Sequence, residues 1–398
     1  MRRSIIALVC LIGAVPLYVF AVQRSPVPHI APQAAAQYQA QAAPVQQSPP
    51  TIPFEVVPNF FKYSADMNFG ETLSVAVNSK GSIVVLNHPG SATSGPLYGN
   101  ATTQLWEFDR TGKFVREIGK GTYGLGYGHT VRFDKYDNLW IVDKGTNAVT
   151  KFNPAGYVTL NLGRRPEGYD SFPGHYHRPT ADKAVPRDGM FDGPTDIAWD
   201  ADDNIYVSDG YINSRIAKMD KNGNWIKSWG SYGQGGAHAN ENPGQFRNPH
   251  SMQVDRQGNV YAGDRGNRRI HVFDKDGKFL RFMHLTAPYD KTRRPALGDM
   301  PKERPDETAP WAMCITTNGP TQYLFVADSE PGRVYKMTLD GKILGMFGES
   351  GRGEKQFNWI HGIGCPSENE LVIADMNNWT VKKVLLKGAA SSTAAQNR

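Results

Sequence analysis

Between Phe54 and Leu386 the chain is a succession of short runs in which apolar and polar residues alternate, separated by turn dipeptides. One unit recurs. It reads Val131-Arg-Phe-Asp, then Asn138-Leu-Trp-Ile-Val-Asp143, then Val149-Thr-Lys-Phe152. It returns as Ile197-Ala-Trp-Asp, Asn204-Ile-Tyr-Val-Ser-Asp209 and Arg215-Ile-Ala-Lys-Met219, and again around Asn259–Asp264, Tyr323–Asp328 and Glu370–Asp375. A weaker copy is Ser82–Asn87 followed by Gln104–Phe108. Alternation with a period of two predicts strands. Turns such as Asn153-Pro-Ala-Gly, Lys221-Asn-Gly, Lys275-Asp-Gly and Leu339-Asp-Gly predict that neighbouring strands are antiparallel. Six four-stranded units of roughly 40–50 residues predict an all-β, six-bladed β-propeller. The last unit stops one strand short at Val384-Leu-Leu386, and Phe54–Phe61 is expected to supply that strand, closing the ring and removing two sheet edges. No helical periodicity separates the runs, which excludes a parallel sheet.

Composition adds little until the charge is placed. The 398 residues carry a formal net charge of +6. Residues 1–53 hold three arginines and no acid, and Lys387 and Arg398 add two cations at the other end. Between them 39 cations face 38 anions, so no basic face for nucleic acid is implied. Met1-Arg-Arg and the uncharged run Ser4–Val22 predict an export signal ending near Val19-Phe-Ala21, or an anchor of the same residues with a membrane tether through 4–22. Residues 23–53, rich in Ala, Gln and Pro, read as a linker, 54–386 as the propeller and 387–398 as a disordered tail. The working domain is therefore expected in the periplasm or outside the cell, as a monomer. Cys10 lies in the apolar segment. Cys314 and Cys365 fall on inner strands at positions of opposite side-chain parity, which argues against a bond between them.

The Asp that ends each unit is a ruler. His129, His250 and His361 each stand 14 residues before Asp143, Asp264 and Asp375. They therefore begin the innermost strands of units two, four and six, about 120° apart in a six-bladed ring. Three neutral imidazoles converging on an axis, with a fourth position open, form the ligand set of a catalytic zinc. Thr195 and Trp311 stand near that register in the intervening units, so histidine is not a preference of the repeat. His175 and His177 lie in a Pro/Gly-rich insertion and read as surface loop; His238 and His271 read as structural. Just after the unit-end acids Asp209 and Asp264 come Tyr211 and Arg265. Taken alone, Tyr211 is a packed turn aromatic, and Arg265 is a salt-bridge residue beside Arg268 and Arg269.

The Asn-x-Tyr-Val-x-Asp-x-x-Asn-x-Arg-Ile pattern is similar to NHL repeats. More specifically, Pro194-Thr-Asp-Ile-Ala, Val207-Ser-Asp-Gly-Tyr-Ile-Asn-Ser-Arg-Ile216, Gly244-Gln-Phe and Pro249-His-Ser-Met resemble the peptidyl-α-hydroxyglycine α-amidating lyase domain. The resemblance implies zinc on His129, His250 and His361, Tyr211 as the base and Arg265 as its partner. Departures accompany it. His88 or Pro89 stands where a second catalytic arginine is expected, Ile212 replaces a disulfide cysteine, and Gly362 replaces an aspartate that helps hold a structural calcium. The leading reading is a zinc lyase that cleaves an N-acyl α-hydroxyglycine to an amide and glyoxylate. The alternatives are a non-enzymatic propeller that presents the insertions at 164–193, 231–248 and 285–309 to an envelope protein or polysaccharide, and a lactonase-type hydrolase with calcium on the axis.

Overall fold

The computed structural model describes residues 48–89, 103–122, 124–163, 180–233, 242–289, 307–328 and 330–387. The export or anchor segment, nearly all of the linker, the tail after Lys387, and His175, His177 and His238 lie outside the described residues.

Six four-stranded antiparallel sheets surround one axis. From the axis outward, blade 1 is Glu71–Val77, Ile83–His88, Gln104–Phe108 and Phe114–Ile118; blade 2 is Gly128–Phe133, Leu139–Asp143, Ala148–Phe152 and Val158–Gly163. Blade 3 is Asp196–Trp199, Ile205–Asp209, Arg215–Met219 and Trp225–Trp229, and blade 4 is Pro249–Val254, Val260–Asp264, Arg269–Phe273 and Phe279–Met283. Blade 5 is Ala312–Ile315, Leu324–Asp328, Arg333–Met337 and Ile343–Phe347. Blade 6 is Ile360–Ser367, Glu370–Asp375 and Thr380–Leu386, with Phe54–Val56 outermost.

The repeated residues are the joints of each blade. Asp134, Asp200 and Asp255 each accept from the backbone and the side-chain amide of the Asn four residues on, and from the aromatic two residues later: Trp140, Tyr206 and Tyr261. This closes the turn between the first two strands. The unit-end acids are buried staples: Asp143 accepts from the Tyr127 backbone, Asp209 from Asp192, Asp264 from Arg247 and Asp375 from Trp359. Each one ties the end of the second strand to the segment that enters the first. Between every pair of adjacent blades lies one buried apolar cluster, including the 6–1 joint, where Val372 and Ala374 meet Val75, Val85 and Phe108. The ring is therefore closed by packing all the way round.

The N-terminal segment closes the sixth sheet as expected, with Phe54 opposite Leu386 and Val56 opposite Val384. It does more than that. Ile52 N donates to Met346 O on blade 5, and Lys62 N donates to Gly112 O on blade 1. Pro50–Lys62 is thus a strap across the outer rim of blades 5, 6 and 1. Its strand is only three residues long, and its contacts begin within the stretch read as linker.

Cys314 and Cys365 form a disulfide, with Cα atoms 6.0 Å apart. The parity argument fails for a geometric reason. In a ring of blades, one face of each inner strand looks to the preceding blade and the other to the following one. Cys314 shares a face with Ala312 toward blade 6, whereas Cys365 shares a face with Ile363 toward blade 5. Opposite parity is what lets them meet.

Deeper along the axis, Arg132 of blade 2 crosses the channel. Its guanidinium is paired with Asp196 of blade 3 and donates to Met313 O on blade 5, with Ile363 O on blade 6 at 3.5 Å. Asp196 also accepts from Met252 N on blade 4.

Candidate functional site

In blades 2, 4 and 6 the ladder between the first two strands slips by one residue, and the residue left unpaired is the histidine. Gly128 faces Asp143 and Thr130 faces Val142, leaving out His129. Pro249 faces Asp264 and Ser251 faces Gly263, leaving out His250; Ile360 faces Asp375 and Gly362 faces Ala374, leaving out His361. A bulge re-aims its extra residue, and here it turns three imidazoles onto the axis. Their ring centroids are 4.7, 4.7 and 4.9 Å apart. All three are buried, and one ligand nitrogen from each lies within 4.8 Å of the other two.

The bulge position of the next blade round holds each ring in place. His129 Nδ1 meets Thr195 O at 2.7 Å, His250 Nδ1 meets Trp311 O at 2.9 Å, and His361 Nδ1 meets Leu73 O at 3.0 Å. A carbonyl only accepts, so each Nδ1 carries the proton and each Nε2 presents a lone pair. Burial holds all three imidazoles well below their ordinary basicity, His361 at about 3, and the charges of Lys144 and Arg265 add to the effect on His129 and His361. Nε2 of His129 and Nε2 of His250 face each other at 3.2 Å, two acceptors without a proton between them. A divalent cation satisfies that arrangement, and the backbone bonds behind the rings are those that orient metal-ligating histidines. The residues present fit a metal held by His129, His250 and His361.

They do not fit an axial calcium. A Cβ on Gly362 would lie 2.6 Å from Ser74 Cα and 2.9 Å from Leu73 O, so no carboxylate side chain has room there. The positive charge of the channel is the Arg132 guanidinium, already surrounded by the Asp196 carboxylate and the carbonyls of two blades.

Tyr211 reaches the histidines from the turn after the second strand of blade 3. Two glycines admit it: a Cβ on Gly193 would meet Tyr211 Cβ at 2.6 Å, and one on Gly210 would meet Pro249 O at 1.8 Å. Tyr211 Oη lies 3.2 Å from His129 Nε2 and 3.5 Å from His250 Nε2. Arg265 lies over the Trp311 ring at 4.4 Å and 5.8 Å from that of Tyr211. The Arg-rich stretch divides its labour. Arg268 pairs with Glu330 and Arg269 with Asp264, while Arg265 has no carboxylate partner among the described residues. His271 is structural, packed between Asp264 and Arg269. His88 is buried, its ring 4.4 Å from Tyr127 and its Nδ1 3.9 Å from the Glu71 carboxylate. Pro89 is exposed and Ile212 half-buried.

Sequence reasoning missed Lys144, whose ammonium lies 4.6 Å from the centre of the Tyr211 ring. A signal existed, since Lys144 follows Asp143 just as Arg265 follows Asp264. It also missed Trp311, which stands at the bulge register of blade 5 and walls the mouth between His250 and Arg265.

No family model matches the chain. Among curated proteins it is similar to peptidyl-glycine alpha-amidating monooxygenase B of Xenopus laevis, 28% identical over 286 residues, 71% of this chain and 28% of that protein. It is also similar to peptidyl-alpha-hydroxyglycine alpha-amidating lyase 1 of Drosophila melanogaster, 26% identical over 288 residues, 70% of this chain and 48% of the other. Human NHL repeat-containing protein 3 is 25% identical over 269 residues, covering 66% and 60%. The chain thus spans under half the length of the amidating relatives named here. Among solved structures, an auxiliary nutrient binding protein from Bacteroides ovatus superposes with a TM-score of 0.53 at 14% identity, covering 85% of this chain and 78% of that one. A streptogramin B lyase superposes with 0.50 at 13%, covering 84% and 98%. These two likenesses concern the fold. The protein is a six-bladed β-propeller whose relatives include amidating lyases and NHL-repeat proteins.

Proposed function

We propose that this propeller is a zinc-dependent carbon–nitrogen lyase, cleaving an N-acyl α-hydroxyglycine to the primary amide and glyoxylate. The observation that carries the reading is the juxtaposition of three neutral, backbone-oriented imidazoles with the Tyr211 hydroxyl. His129, His250 and His361 would hold the zinc, which when bound supplies a Lewis acid that makes a substrate hydroxyl easier to deprotonate. Tyr211 takes the hydroxyl proton. The oxygen electron pair becomes the carbonyl of glyoxylate, the C–N bond breaks, and the departing nitrogen receives the proton back from Tyr211. No water is consumed and no redox partner is needed. Arg265, which pairs with no acid among the described residues, places a positive charge 5.8 Å from the Tyr211 ring.

The Cys314–Cys365 disulfide supports an oxidising compartment, consistent with export of the domain. The test is direct. Purified protein is expected to carry about one zinc per chain, and to release glyoxylate from an N-acyl α-hydroxyglycine in a manner lost on chelation and restored by zinc. Zinc-loaded protein that releases none from several such compounds would leave the non-catalytic binding propeller as the better reading.

A further inference from the structure

Lys144 and Arg265 occupy one register, each heading the turn that returns a second strand to the histidine end, in blade 2 and in blade 4. Lys144 Nζ lies 4.2 Å from the Tyr127 ring centre and 4.6 Å from that of Tyr211; Arg265 lies 5.8 Å from the same Tyr211 ring. Two cations therefore flank one tyrosine, and the positive field of both reaches His129 and His361. Arg265 has no acid of its own among the described residues. Trp311, beneath Arg265 and more than nine-tenths buried, has an indole N–H that meets no acceptor among the described residues. Positive charge and an orphan donor collect at the mouth, and such a site is complementary to a ligand that brings negative charge and acceptor oxygens. His88 is poorly placed to serve the same end. It is buried, packed on Tyr127 and close to the Glu71 carboxylate.

We propose that Lys144 and Arg265 form a two-armed clamp for a ligand's carboxylate, with Lys144, from blade 2, as the residue that sets specificity for that charge. The identity of the reacting group rests on the lyase reading; the clamp does not.

The experiment uses the full zinc-loaded chain and an N-acylglycine, which has the carboxylate and the acyl amide but no hydroxyl to cleave. Its carboxamide counterpart is the control, and calorimetry is the readout. The acid is expected to bind more tightly than the carboxamide. Lys144→Met should weaken the acid roughly ten- to a hundredfold, the loss of one charge-assisted contact, and leave the carboxamide unchanged. Lys144→Arg should restore most of the binding, and zinc content should be the same in all three proteins. Should Lys144→Met fold poorly, Lys144→Gln keeps a polar chain of similar reach. In turnover the loss should fall mainly on KM. Equal binding of acid and carboxamide, no binding of either, or a Lys144→Met protein that holds the acid as tightly as wild type would overturn the clamp. Lys144-dependent binding of the acid without cleavage of any hydroxyglycine would uphold the clamp and remove the lyase reading.

Discussion

Arg132 and Asp196 form a two-pronged ion pair at the propeller axis, Nε to Oδ1 at 3.0 Å and Nη2 to Oδ2 at 2.8 Å. The Asp196 carboxylate is 1% exposed and the Arg132 side chain 15%, and their further hydrogen bonds engage backbone groups of blades 4, 5 and 6. Removing one partner of such a pair leaves the other charge desolvated and unmatched. Arg132→Met and Asp196→Leu are each expected to cost about 3–5 kcal/mol in urea unfolding, and the double variant less than the sum of the two. Fully additive losses would mean that the two side chains do not act on each other.

The same guanidinium takes up the Asp196 carboxylate, the acid that a cation in the channel would need. EGTA at concentrations that spare zinc is expected to leave the melting temperature unchanged in wild type. A drop of several degrees would place a calcium elsewhere in the molecule, since ligand removal lowers stability only where the folded state binds the ion.

The buried imidazoles make the metal-free protein acid-sensitive. His361 titrates near 3 when folded, because burial disfavours its charged form, and near ~6.5 when unfolded. Between those values the unfolded chain binds one more proton at this residue. Its contribution is therefore complete above about pH 6.5 and is lost as pH falls toward 3, by ~1.4 kcal/mol per pH unit. His361→Gln should flatten the slope of stability against pH by that amount relative to wild type, with the buried carboxyl groups common to both. Parallel profiles would show that the imidazole is protonated in the folded protein.

Much of this was legible in the sequence because the repeat supplies its own ruler. The unit-end acids aligned His129, His250 and His361 without any knowledge of tertiary structure, and the alternation of residues placed the strands around them. The sequence was silent where the answer depends on how blades face one another. The Cys314–Cys365 bond required knowing that adjacent inner strands present opposite faces to their shared joint. The Arg132–Asp196 pair required knowing which side chains reach across the axis. Lys144 went unread for a different reason. The motif marks the first blade, where His88 stands, and not the second, where a cation is in plain register.

The strap gives a graded truncation test. A chain beginning at Ser48 retains every rim contact made by the described residues and should melt with the full-length protein. One beginning at Ser64 loses the outer strand of blade 6 together with the Ile52 and Lys62 bonds to blades 5 and 1, and exposes a sheet edge, so it should melt far lower or fail to fold. Equal melting temperatures would mean that the other rim contacts suffice to close the ring.

Tyr211→Phe removes a hydroxyl and no ligand. Zinc content should be unchanged and turnover reduced roughly a hundredfold or more, the ordinary magnitude for loss of a general base. A variant with near-wild-type turnover would take Tyr211 out of the proton path.

The three histidine-to-carbonyl bonds run from blade 2 to blade 3, from blade 4 to blade 5 and from blade 6 to blade 1. None lies within a single blade, so no blade by itself contains a finished ligand. Every imidazole takes its aim from across a seam, and the seam behind His361 is the one where the two ends of the domain are joined. Affinity for the metal thereby becomes a gauge of the whole circle. Loosening a seam on the outer rim should be felt at the centre as a ligand that has lost its bearing, well before the blades themselves come apart.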